Sequence, residues 1–275
     1  MLARQRQNLI LEELRRVGAV RVSELTAMLN VSDMTVRRDL DVLAAAGALE
    51  KIHGGATTIN PRSIDEPGFE AKSHRQKVEK DLIAAAAALL VSPGSAIGLT
   101  AGTTTWALAH HLAKIDNLTV VTNSVQAAEV LYRYSLSAHS APKNTTVVLI
   151  GGMRTPSDAL VGPIAVSALK TLHVDQVFMG VHGISELAGF STPNMMEAET
   201  NRAFIESAKK LVVVADRTKW GITGLSTIAR LDQAQAIVTN SGWPETAVAA
   251  VESNGTQMIM VGLHHENSLM TRVAG

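Results

Sequence analysis

The chain has 275 residues, of which 46% are hydrophobic, so it can bury a substantial core, and its length suggests two domains. It has no cysteine, which excludes disulfides and thiolate metal sites and fits a reducing cytoplasm. Aromatics make up 3%, which disfavours stacking on single-stranded nucleic acid, and the formal net charge of zero excludes a strongly basic coat. No basic-then-apolar leader opens the sequence. The longest apolar run, Leu82–Val91, falls short of the ~18–20 residues that span a bilayer, so no membrane partner is expected.

Residues 2–17 predict a first helix, with Leu2, Leu9, Ile10, Leu14 and Val17 as its buried stripe and Gly18 as its stop. Ala19–Val22 reads as an extended link. Ser23 is the expected cap of a second helix with Leu25, Met28 and Leu29 inward, and Asn30-Val31 is the turn after it. The next stretch, Val31–Thr58, organises the chain. Ser32 is placed to cap a third helix in which Val36, Leu40 and Leu43 share a buried face at i, i+4 and i+7. Met34, Arg38 and Asp41 then point outward, with Thr35 and Arg37 on the flanks. Two guanidiniums and a hydroxyl in the first two turns suit phosphate and base-edge contact in a major groove. Gly47 ends this helix. Leu49–Ile52 and Ala56–Thr58 are expected to pair across a turn containing Gly54-Gly55, with Lys51 and His53 near its tip. This predicts a winged helix-turn-helix over residues 1–58.

Residues 1–55 hold eight Arg and Lys against seven Asp and Glu. That is weak electrostatics for a DNA binder, because phosphate neutralisation supplies most non-specific affinity. A homo-oligomer (dimer or tetramer) presenting two or more headpieces is therefore expected.

Residues 59–72 contain two prolines and a glycine, and read as a linker. From 73 to 262, short apolar runs alternate with helical stretches. Helices are expected over Lys77–Leu90, Thr105–Leu112, 124–132, 163–171 and 195–208. Strands are expected at Ala96–Leu99, Leu118–Thr122, Thr146–Ile150, Gln176–Gly180, Leu211–Ala215 and Ala236–Thr239. Alternation of this kind predicts an α/β domain with a mainly parallel sheet covered on both faces. Residues 263–275 read as a polar tail.

Ligands of open parallel sheets bind beyond the carboxyl ends of strands. There the sequence offers Thr100-Ala101-Gly102-Thr103-Thr104-Thr105, a glycine turn with hydroxyls at a helix start, suited to phosphate. It also offers Asn123-Ser124, Gly151-Gly152-Met153-Arg154, and Asp216-Arg217-Thr218-Lys219. Each has a plain alternative: a Thr-rich cap, a turn, a solvated cation.

The run V-S-x-x-T-V-R-R-D-L-x-x-L-x-x-x-G-x-L-x-x-x-H-G-G-A closely resembles the N-terminal signature of the DeoR family of bacterial transcriptional regulators. The resemblance continues through Glu66-x-x-Phe69-x-x-Lys72, G-T-T-T, V-V-T-N-S, G-G-x-R, V-G-P-I-A, D-Q-V-F-M-G, G-F-S-T-P-N-M-M-E-A and A-D-R-T-K-W-G, nearly the whole chain. It implies a repressor of carbohydrate-metabolism genes, bound to double-stranded operator DNA and released by a phosphorylated sugar or related metabolite. It also implies that the second domain is related to ribose-5-phosphate isomerase. Ser32, Thr35, Arg37, Arg38 and the wing would face DNA. Thr100, Gly102, Thr103, Thr104, Thr105, Asn123, Ser124, Gly152, Arg154 and Lys219 are the expected effector contacts. Glu197 matches an acidic family position whose role stays open.

Three positions depart from the family pattern: Thr100, Ser185 and Asn240 stand where acids are usual. If all three lay on one rim, the pocket would be less negative. The main rival reading is a sugar-phosphate isomerase, which needs a positioned carboxylate base and has no use for residues 1–58. A DNA-bending structural protein is disfavoured by the large α/β domain. No enzyme activity and no cofactor are expected. His110-His111 and His264-His265 are adjacent pairs that diverge on a helix or strand, and neither a G-x-S-x-G elbow nor a Walker loop occurs.

Overall fold

The computed structural model describes residues 2–17, 19–46, 48–52, 54–57, 68–73, 75–136 and 144–262. Gly18, Gly47, His53, Thr58, most of the expected linker and the tail lie outside them. The chain divides into two compact units, Met1–Arg62 and Ser63–Gly275.

The first unit comprises α1 (Ala3–Val17), β1 (Ala19–Arg21), α2 (Val22–Leu29), α3 (Asp33–Ala45), β2 (Glu50–Ile52) and β3 (Gly55–Thr57). Its core gathers Ile10, Leu14, Val20, Leu25, Leu29, Val36, Leu40, Leu43 and Leu49. Leu2, Leu9 and Met28, expected inside, are exposed instead. Three short helices cannot cover every apolar residue of a unit this small. Ser23 does not cap α2. Arg21 is the N-cap, and Glu24 reaches back to accept from its backbone N–H at 2.9 Å. Asn30 closes the same helix in the left-handed conformation (φ 51°).

The wing is a three-stranded sheet in the order β1-β3-β2. Gly54 makes the turn with φ 79°, but Gly55 has a different reason to be glycine. It pairs with Arg21, and a Cβ there would sit 2.0 Å from the Val20 carbonyl oxygen. Behind α3, Asp39 is buried and accepts from Arg6 Nε, Arg6 Nη2 (3.2 Å) and Gln7 Nε2 (3.2 Å). It ties α3 to α1.

The second unit opens with α4 (Phe69–Ser73), a helix inside the stretch expected to be linker. Then follow α5 (Lys77–Ala88), β4 (Ala96–Leu99), α6 (Thr103–Leu112), β5 (Thr119–Thr122), α7 (Val125–Leu136) and β6 (Thr146–Leu149). Next come β7 (Met153–Arg154), β8 (Leu160–Val161), α8 (Pro163–Leu169), β9 (Gln176–Met179), β10 (Gly183–Ser185), β11 (Gly189–Thr192) and α9 (Met195–Glu206). The last elements are β12 (Leu211–Val214), β13 (Ser226–Ala229), β14 (Ala236–Asn240), α10 (Glu245–Ser253) and β15 (Gln257–Val261).

Seven strands form one parallel sheet in the order β15-β14-β12-β9-β4-β5-β6. Side chains alternate between its faces. Val212 and Val214 pack with Ile83, Leu108 and Leu131 of α5, α6 and α7. Leu211 and Val213 pack with Ala165, Phe204 and Val251 of α8, α9 and α10. This two-sided burial is why β12 is apolar throughout. A second, antiparallel sheet, β10-β11-β13, was not legible in the sequence, nor were α10 and β15. Strand β6 lies at the sheet edge with Leu149 exposed, so its apolar run does not mark a fully covered strand.

Candidate functional site

The chain lays β5 and β6 on one side of β4, and β9, β12, β14 and β15 on the other. Connections therefore leave β4 and β9 in opposite directions, and the loops beyond their carboxyl ends part to open a crevice. A cavity occupies it, with about 740 Å³ of space that includes open solvent.

Four strand ends contribute to the walls. Ala101, Gly102, Thr103 and Thr104 follow β4; Asn123 follows β5; Gly180, Val181 and His182 follow β9; Ala215 and Lys219 follow β12. Helix α6 begins at Thr103, two residues earlier than expected, so its first turn lies in the wall. Gly102 is its N-cap, with φ 153° and no side chain to offer the helix. The first-turn N–H groups have no intrahelical acceptor, and the helix contributes a partial positive charge there. Asn123 fixes the loop: its Oδ1 accepts from Ala101 N (2.8 Å) and its Nδ2 donates to the Leu160 carbonyl (3.2 Å).

Three lysines line the cavity, of which the sequence reading selected one, Lys219. Lys80 lies on the buried face of α5, three residues before Ile83 and four before Ala84. Its Nζ donates to the carbonyls of Lys72 and Arg75, both at 2.7 Å. Burial, with Lys219, Lys72 and Arg75 nearby and only partly offset by Asp216, lowers its pKa to about 8. Lys72, from α4, donates from Nζ to Ser157 Oγ at 2.6 Å. A lysine at the spacing of an apolar face was the signal available for Lys80. Lys72 carried a family motif but fell in the stretch taken for linker.

Glu197 also lines the cavity. Its Oε1 accepts from Thr155 Oγ1 (3.1 Å) and its Oε2 from Thr192 Oγ1 (3.0 Å). With Asn201 and Thr192 it makes a polar wall able to take hydroxyl groups.

Other expected contacts lie elsewhere. Thr100 is fully buried, and its hydroxyl accepts from Gly180 N (3.2 Å). Thr105 Oγ1 donates to Gly102 O (3.0 Å), and Ser124 Oγ accepts from Ala127 N (3.1 Å) as a helix cap. Gly152 and Arg154 enter the β7–β8 hairpin, where Arg154 Nε donates to Asp158 Oδ1 at 2.8 Å. None of these five is among the lining residues, and neither are Ser185 and Asn240. Ser185 Oγ accepts from Ala188 N and Asn240 Oδ1 from Arg217 N. None of the three positions where acids are usual lines the cavity: Ser185 holds its own turn, while Thr100 and Asn240 hold the loops after β9 and β12.

In the first unit, Ser32 caps α3, its hydroxyl accepting from Thr35 N at 3.3 Å. Met34 and Arg38 are exposed. Arg37 pairs with Asp33 one turn back, and Lys51 on β2 pairs with Asp41. Arg38 has neither an ion pair nor a hydrogen bond among the described residues. His53 lies outside them.

Comparison with known proteins agrees with both units. The DeoR-like helix-turn-helix domain matches residues 6–62, and the DeoR C terminal sensor domain matches residues 75–241. The chain is 34% identical to the HTH-type transcriptional regulator YgbI of Escherichia coli K12, over 94% of this chain and 98% of that one. It is 28% identical to the glycerol-3-phosphate regulon repressor of the same organism, over 92% and 97%. Ribose 5 phosphate isomerase A from Neisseria gonorrhoeae is a distant structural likeness, at 16% identity and a TM-score of 0.38 over 54% of each chain. The chain belongs to the DeoR family of DNA-binding transcriptional regulators, with its DNA-binding module in the first unit and its sensor domain in the second.

Proposed function

We propose that this regulator is a cytoplasmic repressor of carbohydrate-metabolism genes, and that a phosphorylated sugar or sugar-like metabolite in the sensor cavity lowers its affinity for DNA. One observation carries the reading. The uncapped start of α6 and three lysines converge on one cavity that Glu197, Asn201 and Thr192 also line. The cationic groups suit a phosphate, and the polar groups suit hydroxyls. The glycerol-3-phosphate regulon repressor, similar over most of its length, is in keeping with a small phosphorylated ligand. No helix among the described residues is long and apolar enough to cross a membrane.

On DNA, Arg38 reads a base edge or phosphate in the major groove. Ser32, Thr35 and Arg37 lie beside it, and Lys51 and His53 of the wing touch the backbone. Two of these cations already hold acids, Arg37 with Asp33 and Lys51 with Asp41, so one headpiece offers little free positive charge. A homo-oligomer supplies the rest. The functional boundary falls within residues 59–72, with α4 on the sensor side. The test is DNA affinity of the full chain, on a duplex selected from random sequence, with and without a panel of sugar phosphates. Release by at least one phosphorylated sugar is expected; affinity untouched by all of them overturns the reading.

A further inference from the structure

Helix α4 is the first described element after the segment that leads out of the DNA-binding unit, and four ties hold it, two of them to residues that line the cavity. Phe69 N donates to Pro156 O at 3.0 Å. The Phe69 ring meets Trp106 edge-on, with centroids 5.8 Å apart, and Trp106 sits on α6 one turn beyond Thr103 of the cavity wall. Lys72 Nζ donates to Ser157 Oγ, and both residues line the cavity. Lys80 Nζ, also in the wall, holds the carbonyls of Lys72 and Arg75 at the end of α4.

A linker between two functional modules needs none of these ties. Here the ammonium of Lys72 and the ammonium that holds the carbonyl of Lys72 both belong to the ligand site. An anion that enters attracts both ammoniums, and a bond from Lys72 to a phosphate is stronger than its bond to the Ser157 hydroxyl.

We propose that α4 is the strap that carries the ligand signal toward the DNA-binding unit: an anionic ligand draws Lys72 from Ser157 and resets α4 on its Phe69–Trp106 seat. This rests on the reading of the cavity as the effector site. It requires that the two ligand states differ at α4, since a ligand shifts an equilibrium only by its differential affinity. Phe69 lies outside both the cavity lining and the DNA-binding unit. Replacing it therefore separates transmission from binding.

Two measurements on the full chain test the strap, with inorganic phosphate, ribose 5-phosphate and glucose 6-phosphate as probes. In the wild type, amide hydrogen exchange at residues 69–73 should change severalfold on adding a probe that raises the melting temperature. In Phe69→Ala, that probe should still raise the melting temperature. Its effect on DNA affinity, typically about 5–150-fold for coupled sites, should fall toward unity. A melting shift with unchanged exchange at 69–73 overturns the strap and leaves the cavity reading standing. An undiminished ligand effect on DNA in Phe69→Ala overturns it likewise. No melting shift with any probe overturns both. If Phe69→Ala does not fold, the wild-type exchange result decides alone.

Discussion

The two functional helices of this chain begin in opposite ways. Helix α3 is closed at its start. Ser32 supplies a hydroxyl to the Thr35 N–H, and Asp33 sets a negative charge on the positive helix end and holds Arg37. Helix α6 is open. Its cap is Gly102, its first turn carries no acid, and three lysines share its cavity. A surface helix gains stability by satisfying its own terminus. A helix start left unsatisfied inside a cavity has its donors reserved for a ligand that brings its own charge. In this chain the helix assigned to DNA is self-satisfied, and the helix assigned to the effector is not.

The difference can be broken or sharpened by substitution. The largest effect is expected from the shared requirement of both units, their cores. Leu40→Ala, at a fully buried position, should destabilise the DNA-binding unit by about 2–5 kcal/mol. Calorimetry should show that loss while the ligand-dependent melting of the sensor domain persists. Next, Gly102→Ser gives α6 the kind of cap that α3 has. A hydroxyl would take an N–H from the ligand, and a non-glycine residue at φ 153° is strained. Phosphate affinity measured by titration calorimetry should drop about tenfold or more, by roughly 1.4 kcal/mol. Arg38→Ala should weaken binding to the selected duplex by about 1–3 kcal/mol. An unaltered affinity in a filter-binding assay would remove Arg38 from the contact. Ser32→Ala should cost about 1 kcal/mol of stability in urea melts, because the cap is lost with its bond to the Thr35 hydroxyl.

The smallest effect is a pH dependence. A bound phosphate raises the pKa of Lys80 from about 8, so above that pH binding takes up a proton and affinity falls as pH rises. Below pH 8 Lys80 is already charged and its contribution is flat. In the unliganded chain the same depression acts on folding. The unfolded chain binds the extra proton between about pH 8 and 10.5, so this group adds stability as pH rises through that window. Calorimetric titrations in buffers of different ionisation enthalpy would detect the proton uptake, and Lys80→Met should abolish it.

Much of the architecture was readable because burial on two faces leaves a plain signature. Leu211–Val214 and Gln176–Met179 had to be central strands, and Val36, Leu40 and Leu43 had to face inward. The antiparallel sheet was not readable, because Gly183–Ser185 and Gly189–Thr192 are short and rich in small residues without clear alternation. In the site, the rule that ligands lie beyond strand ends points to Gly102, Thr103, Thr104, Asn123 and Lys219, all of which line the cavity. Gly152 and Arg154 lie outside the lining, because β6 is an edge strand and the chain after it turns into a hairpin. Thr100, Thr105 and Ser124 also lie outside it, with their hydroxyls bonded to backbone. The rule could not point to Lys72 and Lys80, which reach the cavity from helices that precede β4, the first strand of the seven-stranded sheet. Only tertiary packing brings them there.

The most direct test of the account is a thermal-shift comparison of phosphorylated sugars with their unphosphorylated forms and with inorganic phosphate, on the full chain. A ligand at about 100 times its Kd adds roughly 2.7 kcal/mol, which moves the melting temperature by a few degrees. The account predicts stabilisation by one or more phosphorylated sugars, weaker stabilisation by inorganic phosphate, and none by the unphosphorylated forms. Equal stabilisation by a sugar with and without its phosphate would contradict it, for the open end of α6 and its lysines would then have no anion to hold.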